Sequence, residues 1–277
     1  MKIIIIIGGI IALLICFFVM ADRMFYSGFV REAKQIRAEN EHLDAEVITE
    51  ESLTHLPEPV ARYMRYSGMV GNKRISAVRM VHSGSFRPVA DKDFLPIKGE
   101  YYLTADRPSF CWYGKISIVP GLTIAARDSY YKGKGRMLVK MMSVFKLVDD
   151  RSEITNMSAF GRLVVEMTAI PSFFLDPGRI VWTSSDSTRA ECIVNDSGLQ
   201  TTAQLFFNAD GSLGKIVVDR YYGEDDGSSS PEKFSGTVQG SRNYRGLILP
   251  EVFDGYWNLK EGDLHYVHFV VDSVEYE

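Results

Sequence analysis

The run from Ile3 to Met20 (IIIIIGGIIALLICFFVM) holds no charged residue, and only Met1 and Lys2 precede it. In a helix rising about 1.5 Å per residue such a run matches the hydrocarbon thickness of a bilayer and satisfies its own backbone polar groups. Residues 1–22 are therefore expected to form a transmembrane signal anchor, with the membrane contacted through residues 3–20. The rival is a cleaved signal peptide ending near Val19-Met20-Ala21, for which the apolar stretch is long. Lipidation at Cys16 would need a small residue before it, and Ile15 stands there. Charge gives a divided orientation signal: Lys2 holds the amino end inside, while Arg23, Arg31, Lys34 and Arg37 pull the other way. A short basic start commonly sends the rest of the chain outward, so the expectation is a single-pass cell-membrane protein with an extracytoplasmic domain.

The chain beyond the anchor must fold around a real core. Apolar residues make up 46% of the 277 and charged residues 24%, which excludes global disorder. A net charge of -4 leaves no basic surplus for phosphates, so nucleic acid is not an expected partner. Residues 23–53 read as a charged helical stalk with few apolar positions (REAKQIRAENEHLDAEV). Residues 54–277 read as one β-rich domain, beginning with a short helix at LPEPVARYMRYSG.

Beyond Gly71 short runs of β-formers alternate with Gly, Pro, Asn and Asp. Strands are predicted at Ile75 to His82, Gly99 to Thr104, Phe110 to Ile118, Leu122 to Tyr131, Ile180 to Thr183, Arg189 to Val194, Thr201 to Asn208, Leu213 to Tyr221, Thr237 to Tyr244, Leu247 to Trp257 and Leu264 to Tyr276. Asp210-Gly211 marks a hairpin turn. Gly223 to Lys233 (GEDDGSSSPEK) reads as a mobile loop. Between the two strand runs, Ser152 to Ala169 has helical spacing and a wide apolar stripe, which must lie against a sheet; Pro171 ends it. The expected fold class is α+β: a large curved, mainly antiparallel half-barrel-like sheet packed on one long helix, with an N-terminal transmembrane helix.

No catalytic or metal-binding signature stands out. HExxH, paired CxxC and GxSxG are absent, and no cofactor is expected. Of the five histidines, His265 and His268 are three apart on a predicted strand, which puts them on opposite faces and prevents joint chelation. Cys111 and Cys192 fall on differently directed faces, against a disulfide. Gly133-Lys134-Gly135-Arg136 lacks the spacing of a P-loop and reads as a turn between strands. Arg162 and Glu166 lie one helical turn apart: either a surface pair, or charges at a pocket mouth together with Asp128. Tyr101, Tyr102, Phe110, Trp112, Tyr113, Phe173, Phe174 and Trp182 form either a plain core or the wall of a cavity for an apolar ligand.

The succession LPEPVARYMRYSGMVG, RMVHSGSFRP, RPSFCWYGKISIVPGLTIAARDSYYKGKGRM, FGRLVVEMTAIPSFFL and FNADGSLGKIVVDRY resembles an uncharacterised bacterial family known as a domain of unknown function. The resemblance runs from about Leu56 to the C-terminus and implies membrane association but no reaction. Its family-like positions include Phe110, Trp112, Asp128, Tyr130, Arg162, Glu166, Trp182 and Arg220. The chain departs from the family pattern at Ala169-Ile170, where an aromatic is usual before the proline. The half-barrel is also similar to lipoprotein-carrier and periplasmic sensor domains, an analogy of architecture. The expected function is a membrane-anchored binding domain for a lipid or other apolar small molecule. Its pocket candidates are Phe110, Trp112, Asp128, Tyr130, Arg162, Glu166 and Trp182. The alternative is a hydrolase using Glu166 and Asp128 as acid and base.

Overall fold

The computed structural model describes residues 2–40, 46–223, 228–244 and 246–277. Its helices are α1 (Lys2–Ala38), α2 (Glu58–Tyr66) and α3 (Glu153–Glu166). The strands are β1 (Ala77–Phe86), β2 (Leu95–Thr104), β3 (Ser109–Val119), β4 (Leu122–Tyr131), β5 (Lys134–Met141), β6 (Phe145–Asp150), β7 (Ile180–Ser185), β8 (Arg189–Asp196), β9 (Leu199–Phe207), β10 (Leu213–Gly223), β11 (Ser229–Tyr244), β12 (Leu247–Leu259) and β13 (Gly262–Tyr276).

All thirteen strands form one antiparallel sheet in the order β6-β5-β4-β3-β2-β1-β13-β12-β11-β10-β9-β8-β7. Each run of strands is a meander joined by short turns, and the two wings meet where the first strand pairs with the last, Gly84 opposite Phe269. The sheet curls so that α3 lies inside it, touching β4 and β5 on one wing and β9, β10 and β11 on the other. This is the expected half-barrel around a midchain helix.

Local chemistry sets α3 in place. Ser152 caps it, its Oγ accepting from the Thr155 amide at 3.2 Å. Its apolar residues Phe160, Leu163, Val164 and Val165 are buried, and Phe160 stacks on Tyr130 at 5.5 Å. Two glycines let the backbones touch. A Cβ at Gly135 on β5 would lie 2.4 Å from the Thr155 carbonyl, and one at Gly161 on α3 would lie 2.6 Å from the Asp219 carbonyl on β10.

Several expectations are corrected. Strands β5 and β6 went unpredicted because their residues (KGRMLVKM and FKLVDD) carry few β-branched residues and, at the edge of the sheet, no clean alternation. Lys132 and Gly133, both at positive φ, make the turn that joins β4 to β5. The predicted loop from Gly223 to Lys233 is shorter than expected: Ser229 onward pairs with β10, while 224–227 lie outside the described residues. His42 lies outside them too.

The stalk is also corrected. Helix α1 continues from the apolar run to Ala38 and lies on the outer face of the sheet, against β2 and β3. Phe25, Phe29 and Ile36 are buried there against Ala77, Tyr102, Cys111, Ala125 and Leu138. Polar clasps reinforce this: Lys115 to Asp22 at 2.7 Å, Ser143 to Asp22 at 2.8 Å, Tyr26 to Glu100 at 2.7 Å, and Arg127 to Glu32. Three or four apolar residues at helical spacing suffice to dock a helix on a flat sheet face. Large apolar residues between Ile3 and Met20 remain exposed, and α1 is long and apolar enough to cross a membrane.

Alanine has the higher intrinsic helix propensity by about 1 kcal/mol, so Gly161→Ala would stabilise a free helix. Here the added methyl meets backbone, and overpacking of this kind costs about 1–3 kcal/mol. Urea unfolding of Gly161→Ala should show net destabilisation; a gain would mean that the close approach of α3 to β10 is relaxed.

Candidate functional site

Between α3 and the concave face of the sheet lies a cavity of about 360 Å³. A smaller, mainly apolar space of about 60 Å³ adjoins it and shares Tyr101, Glu166, Phe253 and Phe269 in its wall. Strand alternation supplies the floor: Tyr101 from β2, Phe110 and Trp112 from β3 and Asp128 from β4 point inward. Their neighbours Tyr102, Cys111 and Tyr113 point outward beneath α1. The opposite wing contributes Arg220, Phe234, Phe253, Trp257, Tyr266 and Phe269.

Arg162 is the hub. Reaching from α3, its Nη1 bonds Asp128, its Nε meets Glu166 at 3.3 Å, and its Nη2 donates to the Tyr101 hydroxyl at 2.6 Å. The Tyr101 hydroxyl in turn donates to Glu166 at 2.7 Å. The guanidinium sits 4.7 Å from the centre of the Trp112 ring and 5.2 Å from that of Phe110, so aromatic faces take the sides its carboxylates leave free. Burial works to lower the Arg162 pKa, but Tyr101, Asp128 and Glu166 together outweigh it and hold the guanidinium above its ordinary value. Burial raises the Asp128 carboxyl, opposed by Arg162. Asp128 Oδ1 is buried without a hydrogen-bond partner.

Two further arginines line the cavity: Arg136, paired with Asp149 at 2.9 Å, and Arg220. Arg220 stacks on Phe234 at 4.6 Å and Trp257 at 4.8 Å, and its Nε donates to the Ser158 carbonyl at 3.2 Å. Among the described residues no carboxylate forms an ion pair with it. Burial, with the nearby Arg162 charge, pushes its pKa down to about 10, so it remains a cation at neutral pH. Beside this polar group His82 accepts from Trp112 Nε1 at 3.0 Å through Nε2, which places its proton on Nδ1. Burial, then the Arg162 charge, push the His82 pKa down to about 3 and keep it neutral.

Of the seven residues expected in a pocket, Phe110, Trp112, Asp128, Arg162 and Glu166 converge on this cavity. Tyr130 and Trp182 do not line it. Tyr130 is sealed under Phe160 and donates to Asp196 at 2.7 Å, while Trp182 packs at the margin of the core from the outermost strand β7. Sequence reasoning did not assign Phe234, Trp257 and Tyr266 to the pocket, nor Arg220, which it named only as a family-like position. Their inward alternation along β10 to β13 was readable, but the curl that brings that wing opposite Arg162 was not.

The histidine expectation is overturned. A β-bulge at Tyr266 sets Tyr256 opposite His265 and Asp254 opposite His268, so both histidines emerge on the outer face. His265 Nε2 and His268 Nδ1 each lie 2.8 Å from Asp254 Oδ1.

A model of a family of unknown function, DUF6544, matches residues 46–269. This chain belongs to that family. No curated protein matches it. Among solved structures it is similar to a LolA superfamily protein from Nitrosomonas europaea, at 12% identity and a TM-score of 0.42 over 83% of this chain and 94% of that one. It is also similar to a putative outer membrane lipoprotein-sorting protein domain from Vibrio parahaemolyticus, at 7% identity and a TM-score of 0.37 over 73% of this chain and 86% of that one.

Two measurements check the site. Arg162→Met should destabilise the fold by about 3–5 kcal/mol in urea, because Asp128 and Glu166 lose the cation that compensates their burial. His82 has a folded pKa below its ordinary value of 6.5, so its neutral form contributes stability that is full above pH 6.5 and lost as pH falls toward about 3. The slope approaches about 1.4 kcal/mol per pH unit. Wild type should therefore lose more stability than His82→Gln between pH 7 and pH 5; equal losses would refute the buried neutral imidazole.

Proposed function

We propose that this protein is a membrane-anchored binding domain that holds an amphiphile, a lipid or similar molecule with an apolar chain and a polar head, between the sheet and α3, without catalysing a reaction on it. The observation that carries this is the cavity itself. Its volume of about 360 Å³ falls in the range of ligand sites, its wall is largely aromatic and aliphatic, and Asp128, Arg162, Glu166 and Arg220 stand close enough to feel one another's charge, while Arg136 and Asp150 also line it. Arg220, which among the described residues has no ion-paired carboxylate, and the orphan oxygen of Asp128 would read the head, while the adjoining apolar space would take part of the chain.

The direction of the anchor supports a bilayer as the source. Lys115 stands level with Asp22, and β3 runs four residues further, about 13 Å at about 3.3 Å per residue, alongside the apolar half of α1. The β3–β4 tip (Ile118, Val119, Pro120, Gly121, Leu122) and the β5–β6 tip (Met141 to Phe145) contain no charged residue, and Val119 and Phe145 are each 54% exposed. The cavity wall runs out to Phe86, Pro88 and Val89. By register Ser83 is level with Lys98 and Lys115, so Phe86 and the loop after it lie at this same end. We place the domain outside the cytoplasmic membrane, on the reading of Lys2 as the inner flank.

The hydrolase alternative finds less support, since Arg162 already bonds both Asp128 and Glu166.

Native mass spectrometry of the chain from Asp22 onward, which keeps the docked part of α1, should show a co-purified lipid mass. That mass should be lost in a variant with Ala159→Trp, which fills the cavity beneath α3. A ligand-free mass, together with no change in Trp112 and Trp257 fluorescence on adding phospholipid micelles, would end this reading.

A further inference from the structure

On the outer face of the sheet, away from the cavity, Asp254 presents one carboxylate oxygen to two imidazoles. Its side chain is 5% exposed, and among the described residues neither lysine nor arginine pairs with it. A buried carboxylate needs a compensating cation. Its second oxygen, Oδ2, takes the Gln239 amide at 3.2 Å, which orients the group and leaves Oδ1 for His265 and His268. The His265 ring is itself fixed, stacked on Tyr256 at 4.5 Å and met edge-on by Phe94 at 5.0 Å. The bulge at Tyr266 is what allows two histidines three apart to share a face.

We infer that Asp254, His265 and His268 form a binding site for a divalent transition-metal ion of the zinc class. Two imidazole nitrogens and a carboxylate oxygen are a ligand set that zinc takes in four-coordinate sites, with the fourth position left for water or another donor. The three ligand atoms lie within 4.8 Å of one another. A tetrahedral zinc with bonds of about 2.0–2.2 Å needs its ligand atoms about 3.3 Å apart, so each imidazole must withdraw from Asp254 by about half an ångström. At 28% and 40% side-chain exposure, His265 and His268 have that freedom. Gln239 and Tyr256 then serve as the outer partners that orient metal ligands.

The full chain in detergent, stripped with a chelator, is titrated with zinc chloride against a chromophoric competitor. One zinc per chain is expected, bound at least tenfold more weakly by His265→Ala and not at all by the His265→Ala/His268→Ala pair, while His55→Ala matches wild type. Wild-type affinity no greater than that of the double variant, or equal loss in His55→Ala, overturns the site. If the double variant fails to fold, cobalt(II) added to the wild-type chain decides: intense visible bands of a tetrahedral site support it, and the pale spectrum of hydrated cobalt removes it. Neither result depends on whether the cavity holds a lipid.

Discussion

The fold depends on one helix touching both wings of a single sheet. A thirteen-stranded antiparallel sheet has no reason of its own to curl this far, since twist alone would spread it as an open propeller. Helix α3 supplies the reason: its apolar circumference is buried on both sides only if β4 and β5 come round to face β9 to β11. Gly135 and Gly161 remove the side chains that would otherwise hold helix and strands apart. The cavity is what remains where the closure is incomplete, and Arg162 and Glu166 face it from α3, Arg162 against the rings of Phe110 and Trp112.

Much of this was legible in the chain. Aromatic and β-branched alternation located most strands, and the switch to helical spacing at Ser152 located α3. The pairing of Arg162 with Glu166 followed from one helical turn, and Asp128 entered as one alternative partner for them. What escaped had physical causes. Strand β6 is the edge strand and β5 lies beside it, and neither carries the β-branched alternation that marks the other strands. Arg220 could be placed on a strand but not opposite Arg162, because curvature is a property of the whole sheet. The histidines were misassigned because a single extra residue at Tyr266 reverses the face of everything beyond it, and bulges leave little trace in a pattern of period two. Docking of α1 was missed because its few apolar positions were weighed as a count, when their spacing at Phe25, Phe29 and Ile36 was the informative part.

Arg162 and Arg220 divide the polar chemistry beneath α3. Arg162 is saturated by two carboxylates and a phenol, and serves to tie α3 to β2 and β4. Arg220 is held by ring faces and one carbonyl, which leaves its charge directed at the space between the wings. A guanidinium suits this position because it is weakly hydrated and stacks on aromatic rings, whereas the pKa of a lysine shifts more readily on burial.

Strand β3 belongs to two environments at once. Phe110 and Trp112 form part of the cavity floor, and Cys111 and Tyr113, their immediate neighbours, bear the weight of α1 on the reverse side. A wall one residue thick thus separates the apolar N-terminal helix from the interior space. Any tilt or rotation of that helix presses on the same strand that shapes the chamber, and the chamber's dimensions are in that sense set from outside the domain.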